Sequence, residues 1–316
     1  MNVKLPTFAF ILCVLLMAAG VLAQVDSRQS DAPLKEGDQL VEKALQNLLN
    51  LSPFRAKLTQ RVDLFGQELV GAGSYLQAGQ GIEKLIRMEL KMNVGGQLLS
   101  VQQISNQRFF WIRRELAGES TLARVDLQRI RDAVAAADSL PRQGLVDNWV
   151  VLGGIPRLLS ALLHNCNFKR PLEQEMKAGD ALMKVWVVEG EWSRAARQGF
   201  VARGGATSAE IAVEENQLVL PEYLPQRVRL VLGRDERLPL FPYRIEFLAA
   251  KSDRLQGNTA TAVQARLQSM VTLEMFNVTR ADDIDRAAFE YQPGDQVVDH
   301  QTEFYLKRLG LTEDGF

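Results

Sequence analysis

The sequence predicts an α+β protein, with helices gathered on one side of an antiparallel sheet. Its element order carries this reading, running from one helix through several meandering strands to two helices and then more strands. Strands do not alternate one by one with helices, as a doubly wound parallel sheet requires. Strict period-two alternation also recurs over long runs joined by short turns containing glycine or asparagine. No internal repeat at a fixed period is present.

The first 23 residues read as a secretory signal. A single positive charge at Lys4 precedes an apolar run from Phe8 to Val21, and small residues lead to cleavage after Ala23. Neither this run nor any later one approaches the roughly 20 apolar residues that a membrane helix needs. Cys13 lacks the preceding small residue of a lipoprotein signal, so export without a lipid anchor is expected. Residues 24–37 read as a polar, flexible leader.

Residues 38–316 read as one domain. Leu40, Val41, Ala44, Leu45, Leu48 and Leu49 recur at helical spacing, with Asp38 available as N-cap. After Pro53 the period changes to two, placing Phe54, Ala56, Leu58, Gln60, Val62 and Leu64 on one face. A returning strand from Glu68 to Leu76 contains Gly71 and Gly73, which permit sharp curvature. In the next strand Ile86, Met88, Leu90, Met92 and Val94 alternate with Arg87, Glu89, Lys91 and Asn93. Gly95-Gly96 turns the chain into a strand from Leu98 to Ile104, and Ser105-Asn106 turns it again into Arg108 to Leu116, which carries Trp111.

Leu122, Val125, Ile130 and Val134 suit a helix. Ile155, Leu158, Leu159, Leu162 and Leu163 suit a second, with Pro156 in its first turn. Strands are expected at Ala181 to Val188, Gln226 to Leu232, Tyr243 to Leu248, Ser269 to Val278 and Phe289 to Tyr291. A short helix from Thr302 to Leu309 closes the chain. Residues 199–216 and 252–265, rich in small and polar side chains, read as loop insertions.

Lys and Arg number 37 against 38 Asp and Glu. With no basic excess to neutralise phosphates, no nucleic-acid partner is expected. Cys166 is the only cysteine beyond the signal, so no intrachain disulfide can form in the mature chain, and a buried, inert thiol is the better reading. His164 and His300 are the only histidines, and no nucleophile elbow accompanies either. Asp282, Asp283 and Asp285 lack the glycine and closing glutamate of a calcium loop and read as a turn and helix cap. No enzyme, metal or cofactor is expected. The run containing Arg227, Arg229, Arg234, Asp235, Glu236 and Arg237 reads as a solvated strand face and turn, with a lipid-headgroup contact as the alternative.

The stretch from Leu48 to Tyr75, LLNLSPFRAKLTQRVDLFGQELVGAGSY, resembles the opening of the LolA-type periplasmic lipoprotein carriers. There a helix leads into a phenylalanine, a Thr-Gln strand, a turn and a Gly-x-Gly-x-aromatic strand; the matching positions are Phe54, Thr59-Gln60, Gly71, Gly73 and Tyr75. The run from Ser105 to Trp111 resembles the family's Ser-Asp-Gly turn into a tryptophan strand. DRAAFEYQPGDQVVDHQ, from Asp285 to Gln301, resembles its closing Phe-x-aromatic-x-Pro strand. Two features depart from the pattern. The chain is longer than the usual carrier, and Gln77-Ala78-Gly79-Gln80 stands where carriers place Lys-Arg-Pro.

The resemblance implies a curved, half-open antiparallel β-barrel with a helical lid on its concave side, working in the periplasm. It also gives the apolar stripes a second meaning. Met88, Leu90, Met92 and Trp111 on the sheet, with Ile155, Leu158, Leu159 and Leu162 on the helix, form either a filled core or the wall of an apolar cavity. Methionines on such a wall adapt to variable ligands. The expected partner is the acyl chain of a lipid or lipoprotein, held for transport to the outer membrane. The alternative is an envelope sensor or scaffold that uses the same fold to signal to a transient membrane-protein partner.

Overall fold

A computed structural model describes residues 35–51, 53–64, 67–79, 84–136, 150–151, 153–178, 181–203, 225–251, 266–309 and 311. The expected signal, most of the leader and the 252–265 insertion lie outside the described residues. No helix among the described residues is long and apolar enough to cross a membrane.

The chain opens with α1 (Glu36–Asn50), followed by β1 (Phe54–Leu64), β2 (Gln67–Ala78), β3 (Leu85–Val94), β4 (Gln97–Asn106), β5 (Phe109–Leu116) and β6 (Glu119–Asp126). Next come α2 (Leu127–Ala136), α3 (Ile155–Asn165), β7 (Cys166–Phe168), β8 (Leu172–Ala178), β9 (Ala181–Trp192) and α4 (Arg194–Arg203). The last part contains β10 (Arg227–Gly233), β11 (Pro242–Lys251), β12 (Arg266–Arg280), a 3₁₀ turn at Arg286–Phe289, β13 (Val298–His300) and α5 (Thr302–Arg308).

Among the described residues, thirteen strands form one curved, unclosed sheet in the order β13-β6-β5-β4-β3-β2-β1-β12-β11-β10-β9-β7, with β8 also paired to β9. Only the β13–β6 pairing is parallel. The expected α+β architecture, a half-open barrel with helices against its inner side, is the one found.

Local chemistry explains the meander. Gly95 and Gly96 adopt φ 60° and 83° between the paired Val94 and Gln97, the doubly positive turn that matches strand twist. The β4–β5 turn lies two residues beyond its expected place, at Gln107-Arg108: Gln107 takes φ 72°, and the Asn106 side chain accepts the Phe109 N–H at 2.9 Å. Gly73 sits where β2 and β3 approach most closely, since a Cβ there would lie 1.7 Å from the Glu89 carbonyl oxygen.

Cross-strand register sorts side chains into two faces. Ala56, Tyr75, Met88, Gln103, Ile112 and Ala123 form one row across six strands, on the concave side. Arg55, Leu76, Arg87, Ile104, Trp111 and Arg124 form the neighbouring row, on the convex side. The concave row joins the main core, which also takes in residues of α1, α2, α3, β10, β11 and α5. Val62 departs from its expected companions and packs with Ala249 and Met270 in a separate cluster.

Several sequence expectations are corrected. Leu122 and Val125 belong to β6, because their odd separation sends Leu122 to the convex cluster and Val125 to the core; the helix begins only at Leu127. Helix α1 starts at Glu36 without a side-chain cap, and Asp38 instead accepts the Phe168 N–H at 2.8 Å. Phe289 ends a 3₁₀ turn capped by Asp285, so the expected closing strand is a strap over the convex face. Residues 199–203 continue α4, while 204–216 lie outside the described residues.

Lys84, just before β3, is buried, and burial lowers its ammonium pKa from 10.5 to about 8. Below pH 8 both folded and unfolded chains carry the proton, and the folded state bears the cost of a desolvated charge. Between pH 8 and 10.5 the unfolded chain holds more protons, so this contribution to stability rises with pH. Urea unfolding of wild type and Lys84→Met across that window should show the variant more stable at pH 7 and the wild type gaining on it by pH 10.5. A constant difference would remove the desolvated charge from the account.

Candidate functional site

The expected apolar site is largely brought together. Helix α3 carries Ile155, Leu158, Leu159 and Leu162 at one-face spacing, and all four pack in the same cluster as Met88, Leu90 and Met92 of β3. Trp111 does not join them. Its neighbours Phe110 and Ile112 take the inner face, and period two sends Trp111 to the convex side. There it packs against Tyr291 at 5.3 Å between ring centroids, with the Arg124 guanidinium 5.5 Å from its ring.

The interior is closed where α3 lies. Ile155, Leu159 and Leu162 are each 0 % exposed, so no water-sized gap adjoins their side chains.

The hold on α3 is partly polar. Its first turn has no side-chain cap of its own, and Gly154 leads into it at φ 78°. The Ile155 N–H is directed at the Tyr75 hydroxyl at 3.3 Å, and that hydroxyl donates to Gln77 Oε1 at 2.8 Å. A Cβ on Gly154 would stand 2.2 Å from the Tyr75 hydroxyl, so glycine lets the helix start settle onto the sheet. Burial pushes the Tyr75 phenol well above its ordinary pKa, against a smaller opposite pull from the Ile155 N–H, and keeps it a neutral O–H donor. Sequence reading found Tyr75 as part of a motif but not as a latch. The signal was its place between the curvature glycines and Gln77, on the inward-facing side of β2.

On its second side α3 packs against α1, whose Val41, Ala44 and Leu48 are buried in the same core. An aromatic row extends from the latch: Tyr75 to Phe54 at 5.7 Å, Phe54 to Phe241 at 5.5 Å, and Phe241 to Tyr243 at 5.1 Å. The last two come from the end of the mixed-charge run, where Leu238, Leu240 and Phe241 turn inward. Composition concealed this, because the charges of 234–237 mask the apolar residues after them.

The remaining candidates are structural. Arg227 pairs with Glu191 at 3.1 Å, Arg229 bridges Glu189 at 2.7 Å and Glu246 at 3.3 Å, and Arg244 pairs with Glu274 at 2.9 Å. Such partly exposed pairs are worth little individually, and they hold these arginines among carboxylates. Burial and the Asp38 carboxylate push the Cys166 thiol up, away from a reactive thiolate. His300 Nδ1 lies 3.2 Å from the Arg124 guanidinium. Among the described residues, no three His, Cys, Asp or Glu side chains stand together as a metal-ligand group.

Removing the latch hydroxyl tests its role. Tyr75→Phe should cost about 1–3 kcal/mol, because Gln77 Oε1 and the Ile155 N–H are left buried without it. Amide exchange at the start of α3 should accelerate more than exchange in β3. Uniform acceleration would mean that the hydroxyl has no particular hold on the helix.

No protein-family model and no curated protein matches the chain. Among solved structures, the chain is similar to a candidate outer membrane lipoprotein-sorting protein domain from Vibrio parahaemolyticus, at 8% identity and a TM-score of 0.30 over 80% of this chain and 96% of that one. It is similar to a DUF1329 family protein from Desulfovibrio piger, at 10% identity and a TM-score of 0.31 over 81% and 98% of the respective chains. It is also similar to MucB, at 11% identity and a TM-score of 0.33 over 82% of this chain and 65% of that one.

Proposed function

We propose that this chain is an exported, non-enzymatic binding protein that holds acyl chains of a lipid or lipoprotein between the concave sheet and helix α3, for delivery to the outer membrane. One observation carries the reading: an apolar helix face is buried in the same core as the methionines of the inner sheet face, and its first turn meets that sheet at the Tyr75 hydroxyl. Each buried methylene of an acyl chain contributes about 0.8 kcal/mol. The closed lid gives up its own contacts on opening, so net affinity is smaller than the buried area suggests. Residues 38–316 act as one unit in this reading, with Met88, Leu90, Met92, Ile155, Leu158, Leu159 and Leu162 around the chain. Trp111, on the far face, is left out.

The full burial of Ile155, Leu159 and Leu162 favours a second reading, a sensor or scaffold that uses the fold without carrying lipid. Leu159→Ala separates the two. Its full burial predicts a loss of about 2–5 kcal/mol in denaturant unfolding. In a carrier the same change should also shift affinity for a fluorescent fatty acid at least about threefold, because lid and ligand compete for one surface. Stability loss with no fatty-acid binding by either protein would leave the scaffold.

The exported setting rests on the signal-like N-terminus. Protein recovered from the periplasm should begin at or next to Gln24 by N-terminal sequencing. Membrane-bound protein retaining Phe8 to Val21 would contradict a diffusing carrier.

A further inference from the structure

Strands β10 and β11 are antiparallel neighbours, and a hairpin between such strands needs only two to five residues. Their connection, 234–241, is longer and divides sharply in character. Residues 234–237 are exposed and charged, with Arg234 paired to Glu173 at 2.6 Å and set over the Trp186 ring at 4.6 Å. Leu238, Leu240 and Phe241 then turn back into the main core. The tip is tied by the Leu240 N–H to the Gly233 carbonyl at 2.9 Å, and by Asn47 Nδ2 of α1 to the Pro239 carbonyl at 3.0 Å.

The backbone of this tip is strained. Leu240 takes φ 58°, a left-handed conformation that crowds Cβ against the following carbonyl and that leucine, without a polar side chain, cannot relieve locally. Alongside it the β10–β11 register slips between Val231 and Leu232. Strain of this kind persists only where surrounding contacts impose it, and it concentrates in clamps and switches. Here the imposing contacts are the hydrogen bonds to Gly233 and Asn47 together with apolar packing. Phe241 lies on Phe54, which lies on Tyr75, so the tip adjoins the latch of α3.

We infer that Leu238, Leu240 and Phe241 form an exchangeable plug in the acyl-chain site, and that an entering acyl chain takes the place of their side chains. This rests on the acyl-binding reading and deepens it. The tip offers branched aliphatic and aromatic surface where a hydrocarbon chain offers methylenes, and its stem at 234–237 stays exposed and charged outside the core. Release of the left-handed leucine favours the exchange, and departure of the ligand restores the packed interior.

The test measures cis-parinaric acid binding by wild type, Leu238→Ala and Asn47→Ala. Shortening the plug at Leu238 should tighten binding about tenfold, because a larger fraction of the protein is open to the ligand. Cutting only the α1 tie at Asn47 should tighten it about threefold. Asn47 lies outside the core, so this variant decides the matter if Leu238→Ala does not fold. Binding by a variant but not by wild type supports the plug as well. Wild-type binding with unchanged or weaker binding by the folded variants overturns the plug and leaves the carrier reading intact. Absence of binding by all three proteins overturns both.

Discussion

The pairing of β1 with β12 is the constraint on which the rest of the molecule depends. Phe54 to Val62 lie opposite Arg280 to Val271, joining the first long strand to the last. Without this contact the described chain would hold two separate sheets, β1 to β6 with β13 on one side and β7 to β12 on the other. With it, six strands before α2 and the strands after α3 become one curved surface with a common inner face. Its closure spans most of the described chain, a long-range contact formed against a large loss of chain entropy.

Once the sheet is continuous, its inner face must be covered, because strands curved around an apolar row cannot leave that row to water. Helices α1, α2, α3 and α5 share the task with the tip of the β10–β11 connection. Helix α3 presents a four-residue apolar stripe, α1 packs beside it, and the tip of the β10–β11 connection fills from the sheet itself. Helix α3 and the tip meet through Tyr75, Phe54 and Phe241. Movement of either cover therefore alters the packing beneath the other, which couples α3 to the tip of the β10–β11 connection.

The convex face follows a different logic. Toward β9 to β12 it carries cross-strand pairs of Arg with Glu, which keep a broad strand surface soluble without assigning it a ligand. Toward β3 to β6 it is covered by the strap around Phe289, pinned where Arg87 Nη1 donates to the Ala288 carbonyl at 2.9 Å. Trp111 belongs to that strap. Its buried position is a matter of holding the C-terminal segment down, and the methionines of β3 face away from it.

Much of the fold was legible in the sequence, because alternation and turn chemistry are local. The five residues Ile86 to Val94 at period two, the Gly95-Gly96 turn, and Pro156 in the first turn of an apolar helix each specify their element within a few residues. The same locality explains the failures. Leu122 and Val125 satisfy helical spacing as well as strand spacing, and only pairing with β5 decides between them. Seven of the eight residues singled out by their apolar stripes share the main core, yet which face Trp111 would occupy relative to Met88 depended on strand register, a relation between distant segments. The sequence by itself determined the strands β1 to β5, the Gly95-Gly96 turn and the apolar face of α3. Tertiary structure alone decided that Tyr75 would receive the start of that helix and that a leucine would be forced left-handed into the core. Those outcomes depend on which surfaces meet after the two halves of the sheet have joined.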